Sequence, residues 1–156
     1  MVDVVFQPAE VADADALLDV QIRSFHDDAR LYPGVEKGGP PGYDSLEQTI
    51  KDIGSQIFYA FIYDGQIVGG IVLFDHGEGH MHVDRLFVDP DYHNMGIGTQ
   101  AIHFIEATYP ANIWTLDTPL YAIRNQHFYE KLGYVNVGIT YGDDIDLIQY
   151  KKVITK

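Results

Sequence analysis

Residues 86–99, Leu-Phe-Val-Asp-Pro-Asp-Tyr-His-Asn-Met-Gly-Ile-Gly-Thr, carry the sharpest chemical signal in the chain. An apolar strand pattern stops at Asp89-Pro90, and a helical pattern opens near Gly98. Glycine lets backbone N–H groups approach an anion closely, and a helix N-terminus adds a positive dipole. Together they make a pyrophosphate cradle built of main chain. No Lys or Arg stands between Arg85 and Arg124. A phosphate held at 93–99 would therefore rest on main-chain N–H groups, on Thr99 or on His93. A P-loop needs a lysine that this segment lacks. A dinucleotide fingerprint belongs to the first strand of a βαβ unit, whereas strands with hairpin signals precede this one. Gly-Ile-Gly by itself is also what an ordinary tight turn looks like.

A second group is Asp75, His76, His80, His82 and Asp84. On a strand over 80–88, His80, His82, Asp84 and Leu86 share one face, and Met81, Val83, Arg85 and Phe87 share the other. Imidazole exchanges protons near neutral pH, so a histidine here could act as a base. Two histidines at i, i+2 also point the same way, as metal ligands do. No third ligand has an established spacing, so no metal is expected. A solvated strand face would explain the same residues without function. Asp117, ending the next strand, could hold a cationic amine or simply turn the chain into Thr118-Pro119.

The elements that must position these groups follow from periodicity. Residues 2–7 form a β-branched run ended by Pro8. From Glu10, the residues Val11, Leu17, Leu18, Ile22 and Phe25 fall near one helix face, with Glu10, Asp13 and Asp15 at its positive end. Seven Pro and Gly residues make 31–44 a loop. Ser45 and Gln48 resemble a capping box opening a helix to about Ile53. The segments 56–63 and 66–74 flank Asp64-Gly65, a strong hairpin signal. A turn at 76–79 leads into the strand 80–88. A helix over 98–109, a strand over 112–116 and a helix over 124–132 capped by Gly133 come next. Strands over 134–140 and 145–153 close the chain. The order β-α-α-β-β-β-α-β-α-β-β predicts an α+β fold, a mixed and mostly antiparallel sheet with helices on its faces.

Composition sets the outer bounds. The chain has 156 residues, 23 acidic against 10 basic, for a net charge of −13. That length suits a single domain, 1–156, with its own core. The charge argues against general binding to nucleic acid or anionic membranes, which need a positive surface. Cysteine is absent, which excludes disulfides and thiolate chemistry and fits a reducing cytoplasm. The first residues lack the basic start and apolar core of a signal peptide. The apolar stretch 57–74 is cut by Asp64, Gly65 and Gln66, so it reads as two strands rather than a membrane span.

Two segments together resemble the GNAT superfamily of N-acetyltransferases. The family's central motif, [Arg/Gln]-x-x-Gly-x-[Gly/Ala] after an apolar-x-Val-x-Pro strand end, is similar to His93-Asn94-Met95-Gly96-Ile97-Gly98 after Leu86-Phe87-Val88-Asp89-Pro90. A second signature, Phe-Tyr-Glu-Lys-x-Gly-[Phe/Tyr], is similar to Phe128-Tyr129-Glu130-Lys131-Leu132-Gly133-Tyr134. Their order and spacing are the family's, and the resemblance spans essentially the whole chain. It implies a sheet of about seven strands, splayed at an acetyl-CoA cleft between 80–88 and 112–117. The pantetheine arm would pair with the backbone of Leu86, Phe87 and Val88. The pyrophosphate would sit on N–H groups of His93, Asn94, Met95, Gly96, Ile97, Gly98 and Thr99.

The resemblance also implies a reaction: transfer of acetyl from acetyl-CoA to a primary amine by direct attack in a ternary complex. Tyr129 matches the family's acid, which protonates the leaving thiolate. His82 and Asp84 are the candidate bases, acting directly or through water. His93 replaces the usual Arg or Gln, which would make cofactor affinity depend on pH. An Asn common seven residues before the tyrosine is Ala122 here, so Asn125, one helical turn before Tyr129, becomes the candidate cofactor contact. Asp117, Tyr32 and Phe25 are candidate acceptor contacts, since the loop 31–44 and the helix 45–53 occupy the region that covers the acceptor. Acidic residues near that region favour a cationic acceptor, either a small molecule or a peptide. The alternative is a non-catalytic acyl-CoA-binding sensor of the same fold. Neither nucleic acid nor membrane is expected as a partner, and the strand 145–153 could pair across a homodimer.

Overall fold

The computed structural model describes residues 3–155. Val2, where the first strand was expected to begin, lies outside them. The chain forms two compact units interleaved in sequence, 1–73 with 85–108 and 74–84 with 109–156. Its strands make one seven-stranded sheet in the order β1-β2-β3-β4-β5-β7-β6. The strands are β1 Val5–Pro8, β2 Ile57–Tyr63, β3 Gln66–Gly77, β4 His80–Val88, β5 Ile113–Pro119, β6 Val135–Thr140 and β7 Leu147–Val153. Only β4 and β5 pair in parallel among the pairs with a defined register. Among the described residues no helix is long and apolar enough to cross a membrane.

In the first unit, β1 and β3 flank β2 in antiparallel register. Asp64 and Gly65 both take positive φ, 52° and 74°, the geometry that lets a two-residue turn match the twist of its strands. Helix α1 spans Ala14–His26, later than the acidic run suggested. The Asp13 carboxylate accepts the Glu10 N–H at 2.9 Å and closes a 3-10 turn over Val11–Asp13 first. The buried stripe therefore starts at Ala14 and runs through Leu17, Val20 and Gln21. Val11, expected on the core face, stays 60% exposed. Leu17 and Val20 pack with Phe58, Ala60, Val72 and Phe87. A four-residue helix α2, Asp28–Leu31, follows.

Helix α3, Leu46–Ser55, begins where expected, with the Ser45 hydroxyl accepting the Gln48 N–H. The second half of the capping box is missing, because the Gln48 amide donates to Asp52 at 2.8 Å instead. Asp52 is ion-paired with Arg85, and both are buried. Arg85 also donates to Gln21 at 2.9 Å, and Gln21 donates to the Tyr43 carbonyl at 2.7 Å. This buried polar chain ties α1, α3 and the loop before it to β4. A buried charge needs such partners.

Two glycines of β3 explain how closely β4 packs. A Cβ on Gly69 would stand 2.5 Å from the Phe87 carbonyl oxygen, and one on Gly70 would stand 2.6 Å from the Phe87 ring. Gly69→Ala is expected to destabilise the fold by about 1–3 kcal/mol in urea unfolding, since backbone cannot yield as a side-chain tip can. An unchanged unfolding midpoint would mean that β4 has room to move.

In the second unit, β4 meets β5 over His80–Val83 against Ile113–Leu116. β5 continues to Pro119, longer than expected, and is paired along its length by β7. β7 is held by β5 on one side and β6 on the other. The expectation that strand 145–153 could pair across a dimer is therefore corrected: that strand is interior, and the sheet ends at β6. All six residues of β6 are exposed, with Val135 at 61% and Val137 at 59%. Helix α5, Ile123–Lys131, ends at Gly133, whose φ of 96° suits the cap position predicted for it.

Candidate active site

The cradle lies in the first unit. After β4, the Asp89 carboxylate accepts the Asp91 N–H at 2.9 Å and starts a single turn over Pro90–Tyr92. Asn94 (φ 64°) and Gly96 (φ 80°) are both left-handed, which curls successive N–H groups toward one side as an anion nest. Helix α4, Ile97–Thr108, follows directly. Its first N–H with a backbone acceptor is that of Gln100, bonded to Gly96 O at 3.0 Å. The N–H groups from Asn94 to Thr99 have no backbone acceptor among the described residues, nor does the Thr99 hydroxyl have a protein partner. The space where a Gly96 side chain would stand is open to at least 4 Å. These residues fit a pyrophosphate.

His93 is built in differently from the other cradle residues. Its N–H bonds Pro90 O at 3.3 Å. Its Nε2 donates to Val88 O at 2.9 Å, and its Nδ1 lies 3.8 Å from Asp27. The imidazole braces the loop against the end of β4, and the free main-chain donors begin at Asn94. A second brace escaped sequence reasoning. Arg23 of α1 grips Asp89 with two parallel hydrogen bonds of 2.8 and 2.9 Å. Burial pushes the Asp89 carboxyl up, but Arg23 and the Asp91 N–H bring it net below its ordinary value. The partners stand 66 residues apart, so no local pattern could reveal them.

The candidate proton-handling groups lie in the second unit. β4 alternates as its sequence implies: His80 and His82 are half-buried and Asp84 is exposed, while Met81 and Val83 are buried. On β5 the alternation continues, with Thr115 and Asp117 open and Trp114, Leu116 and Thr118 buried. Thr115 stands across from His82 in register. Its hydroxyl oxygen lies 2.8 Å from His82 Nδ1 and 2.7 Å from His80 Nε2. Burial lowers the His82 pKa below 6.5, outweighing the upward pull of Asp117 and Asp84. Asp117 keeps solvent access, yet the surrounding protein raises its pKa, with Asp84 adding to the rise and His82 opposing it.

Tyr129 is 8% exposed. It packs against Phe128, Tyr134 and Tyr150 at ring separations of 5.0, 5.9 and 6.2 Å. Its hydroxyl has no hydrogen-bond partner among the described residues. Burial, reinforced by Asp117, holds its pKa well above the ordinary 10. Asn125 lies one turn earlier on α5 and donates to the buried Thr118 hydroxyl at 3.1 Å.

Of the expected acceptor residues, Asp117 lies in the second unit, and Phe25 and Tyr32 lie in the first. Phe25 packs edge-on to Tyr43 with ring centroids 6.0 Å apart, and His26 Nε2 meets the Tyr43 hydroxyl at 2.6 Å. Tyr32 ends α2 half-buried. A cleft beside them is lined by Arg23, His26, Asp27, Ala29, Arg30 and Lys37. No three His, Cys, Asp or Glu side chains come together as a metal-ligand set among the described residues.

Comparison with known proteins gives this geometry a context. YrkN of Bacillus subtilis (strain 168), an uncharacterized protein, is 34% identical over 96 residues, which cover 60% of this chain and 51% of that one. The chain thus matches about half the length of that relative. The S-(2-succino)cysteine N-acetyltransferase of the same organism is 28% identical over 139 residues, covering 81% of each chain. The PaiA N-acetyltransferase of Thermoplasma acidophilum, solved in complex with coenzyme A, superposes with a TM-score of 0.73 at 18% identity, over 97% of this chain and 99% of that one. That likeness shows the GNAT fold. The acetyltransferase (GNAT) family model matches residues 20–134. More than half of the chain, cradle and Tyr129 included, falls inside that match: the protein belongs to the acetyltransferase (GNAT) family.

Proposed function

We propose that this protein is an acetyltransferase acting on a primary amine by direct attack within a ternary complex, with Tyr129 as acid and His82 as base. The observation that carries the reading is Tyr129, a buried side chain at the motif position whose hydroxyl has no hydrogen-bond partner among the described residues. Acetyl-CoA, when bound, supplies the acetyl group as a thioester. The N–H groups from Asn94 to Thr99 would hold its pyrophosphate. The edge of Leu86, Phe87 and Val88, beyond the last β4–β5 pair at Val83, would hold its pantetheine arm. Asn125 orients α5 through Thr118 and is a weaker contact.

An amine attacks only when neutral. His82 Nε2 takes one proton from the acceptor ammonium; as the new C–N bond forms and the C–S bond breaks, Tyr129 gives its hydroxyl proton to the departing sulfur and regains one from the acylated nitrogen. Asp84 is the alternative base, through water. Asp84 and Asp117 put negative charge beside His82, which favours an acceptor that arrives as a cation. A second reading of the acceptor comes from the cleft bearing Arg23, Arg30 and Lys37. Arg23 and Arg30 are already ion-paired there with Asp19, Asp89 and Asp27, so Lys37 is the cation that could meet an amine that also carries carboxylates, and the related enzyme's S-(2-succino)cysteine is an acceptor of that kind.

A thiol-release assay with acetyl-CoA tests both. The panel should hold polyamines, amino acids, carboxylate-bearing cysteine thioethers and peptides, each with wild type and Asp117→Asn. Polyamine turnover that falls in Asp117→Asn supports the cationic acceptor. Turnover confined to carboxylate-bearing amines and indifferent to Asp117→Asn supports the second. No release with any amine, despite tight acetyl-CoA binding, would sink the enzyme reading in favour of a sensor.

A further inference from the structure

Two imidazoles share one hydroxyl. His80 Nε2 and His82 Nδ1 lie 2.7 and 2.8 Å from the same Thr115 Oγ1. The parallel register places Thr115 opposite His82, so all three side chains rise from one face of the sheet. The Thr115 hydroxyl has no other hydrogen-bond partner among the described residues. A threonine hydroxyl carries a single proton. It donates that proton to one ring and accepts an N–H from the other. When both rings are neutral they cannot play the same part.

The surroundings keep both rings neutral at pH 7. Burial lowers both pKa values. His76 of β3 stacks 4.5 Å from the His80 ring and 5.8 Å from the His82 ring. It opposes a second charge on either, as Lys151 of β7 does for His80. Asp84 of β4 and Asp117 of β5 pull His82 the other way but do not overcome burial.

We propose that Thr115 is a positioning residue that locks His80 and His82 into the same tautomer, both Nδ1–H or both Nε2–H, and passes protons between them. The inference rests on the reading of His82 as base. When the Thr115 proton goes to His80 Nε2, His82 must keep its own proton on Nδ1 and presents a bare Nε2 to the acceptor. When the proton goes to His82 Nδ1, the other ring nitrogen is protonated and the base is off. The same bridge drains the proton it collects. His82 Nε2 takes one proton from the ammonium. The Nδ1 proton moves to Thr115 Oγ1 as the hydroxyl proton moves to His80 Nε2. His80 then releases its Nδ1 proton to solvent. One proton enters and one leaves. His76 and Lys151, by disfavouring charge on His80, speed that release. Exchange with water restores the starting tautomers.

Nitrogen NMR of the imidazoles and kinetics of two variants test this. In the wild type, His80 and His82 are expected to show the same tautomer, and Thr115→Val removes that correlation. Thr115→Val keeps the side-chain shape without the hydroxyl and is expected to lower kcat about tenfold, part of the ~100-fold or more that the base itself supplies. KM for acetyl-CoA stays unchanged. Thr115→Ser, which restores a hydroxyl, is expected to recover most of the rate, an outcome that a loss of packing alone would not give. Opposite tautomers on the two rings would overturn the proposal. So would a wild-type kcat in Thr115→Val while His82→Gln is impaired, which leaves the base reading standing. An unimpaired His82→Gln would remove the base reading and this proposal together.

Discussion

Replacing Tyr129 with phenylalanine is expected to lower kcat by about 100-fold or more and to leave KM for acetyl-CoA within about twofold. The hydroxyl has no hydrogen-bond partner among the described residues, so its removal orphans no donor or acceptor there, and the fold should barely notice. The ring packing against Phe128, Tyr134 and Tyr150 survives the change. What disappears is the proton for the leaving sulfur. Burial and Asp117 hold the phenol protonated beyond its ordinary 10. A high pKa makes a phenol a reluctant donor in water. A thiolate leaving into equally dry surroundings is made more basic by the same desolvation, which keeps the transfer feasible. The measurement is steady-state kinetics with the amine found in the thiol-release assay, beside acetyl-CoA binding by calorimetry. A Tyr129→Phe variant with wild-type kcat would leave Tyr129 as a packing residue.

The second large effect belongs to His82. His82→Gln keeps a polar side chain of similar reach and is expected to cost about 100-fold in kcat at pH 7. The pH profile carries the sharper signature. Only the neutral imidazole is a base. Because burial sets its pKa below 6.5, the neutral fraction is already high at pH 7. Wild-type kcat should therefore be flat above about pH 7 and fall as pH drops through the His82 pKa. The elevated Tyr129 pKa adds no alkaline decline below about pH 10. His82→Gln should erase the acid limb along with the rate. A limb that persists in the variant would hand the base role to Asp84 or to a water it holds.

The parts of this site that follow from neighbours in sequence were legible in advance. Asn94, Gly96 and the start of α4 act within a few residues of one another, so the cradle can be read from its string of letters. The open and buried faces of β4 follow from strict alternation. Tyr129 was legible only because its motif is local to α5. What the sequence hides are partners brought together by folding. Arg23 and Asp89 lie 66 residues apart, and His82 and Thr115 lie 33 apart. Alternation on β5 puts Thr115 and Asp117 on one face, a signal that could have raised Thr115, though not its two partners. The interior place of β7 is a matter of strand order, which periodicity does not encode. α1 begins late because one carboxylate, that of Asp13, reaches back to Glu10, a choice that hydrophobic spacing cannot foresee.

The exposed edge strand β6 bears on how the protein stays dispersed. Val135, Val137 and Ile139 line an open sheet edge with no lysine or proline on the strand, and a register break between Asn136 and Gly138 is its local device against another strand adding there. The longer-ranged deterrent is collective: at a net charge of −13, two copies repel before their edges can register. That protection reaches only about 10 Å at 0.1 M salt. It fades as carboxylates take up protons. Colloidal stability of this protein is thus a property of pH and ionic strength more than of the edge itself, and acidic or high-salt buffers turn the same strand from a harmless rim into a growth point.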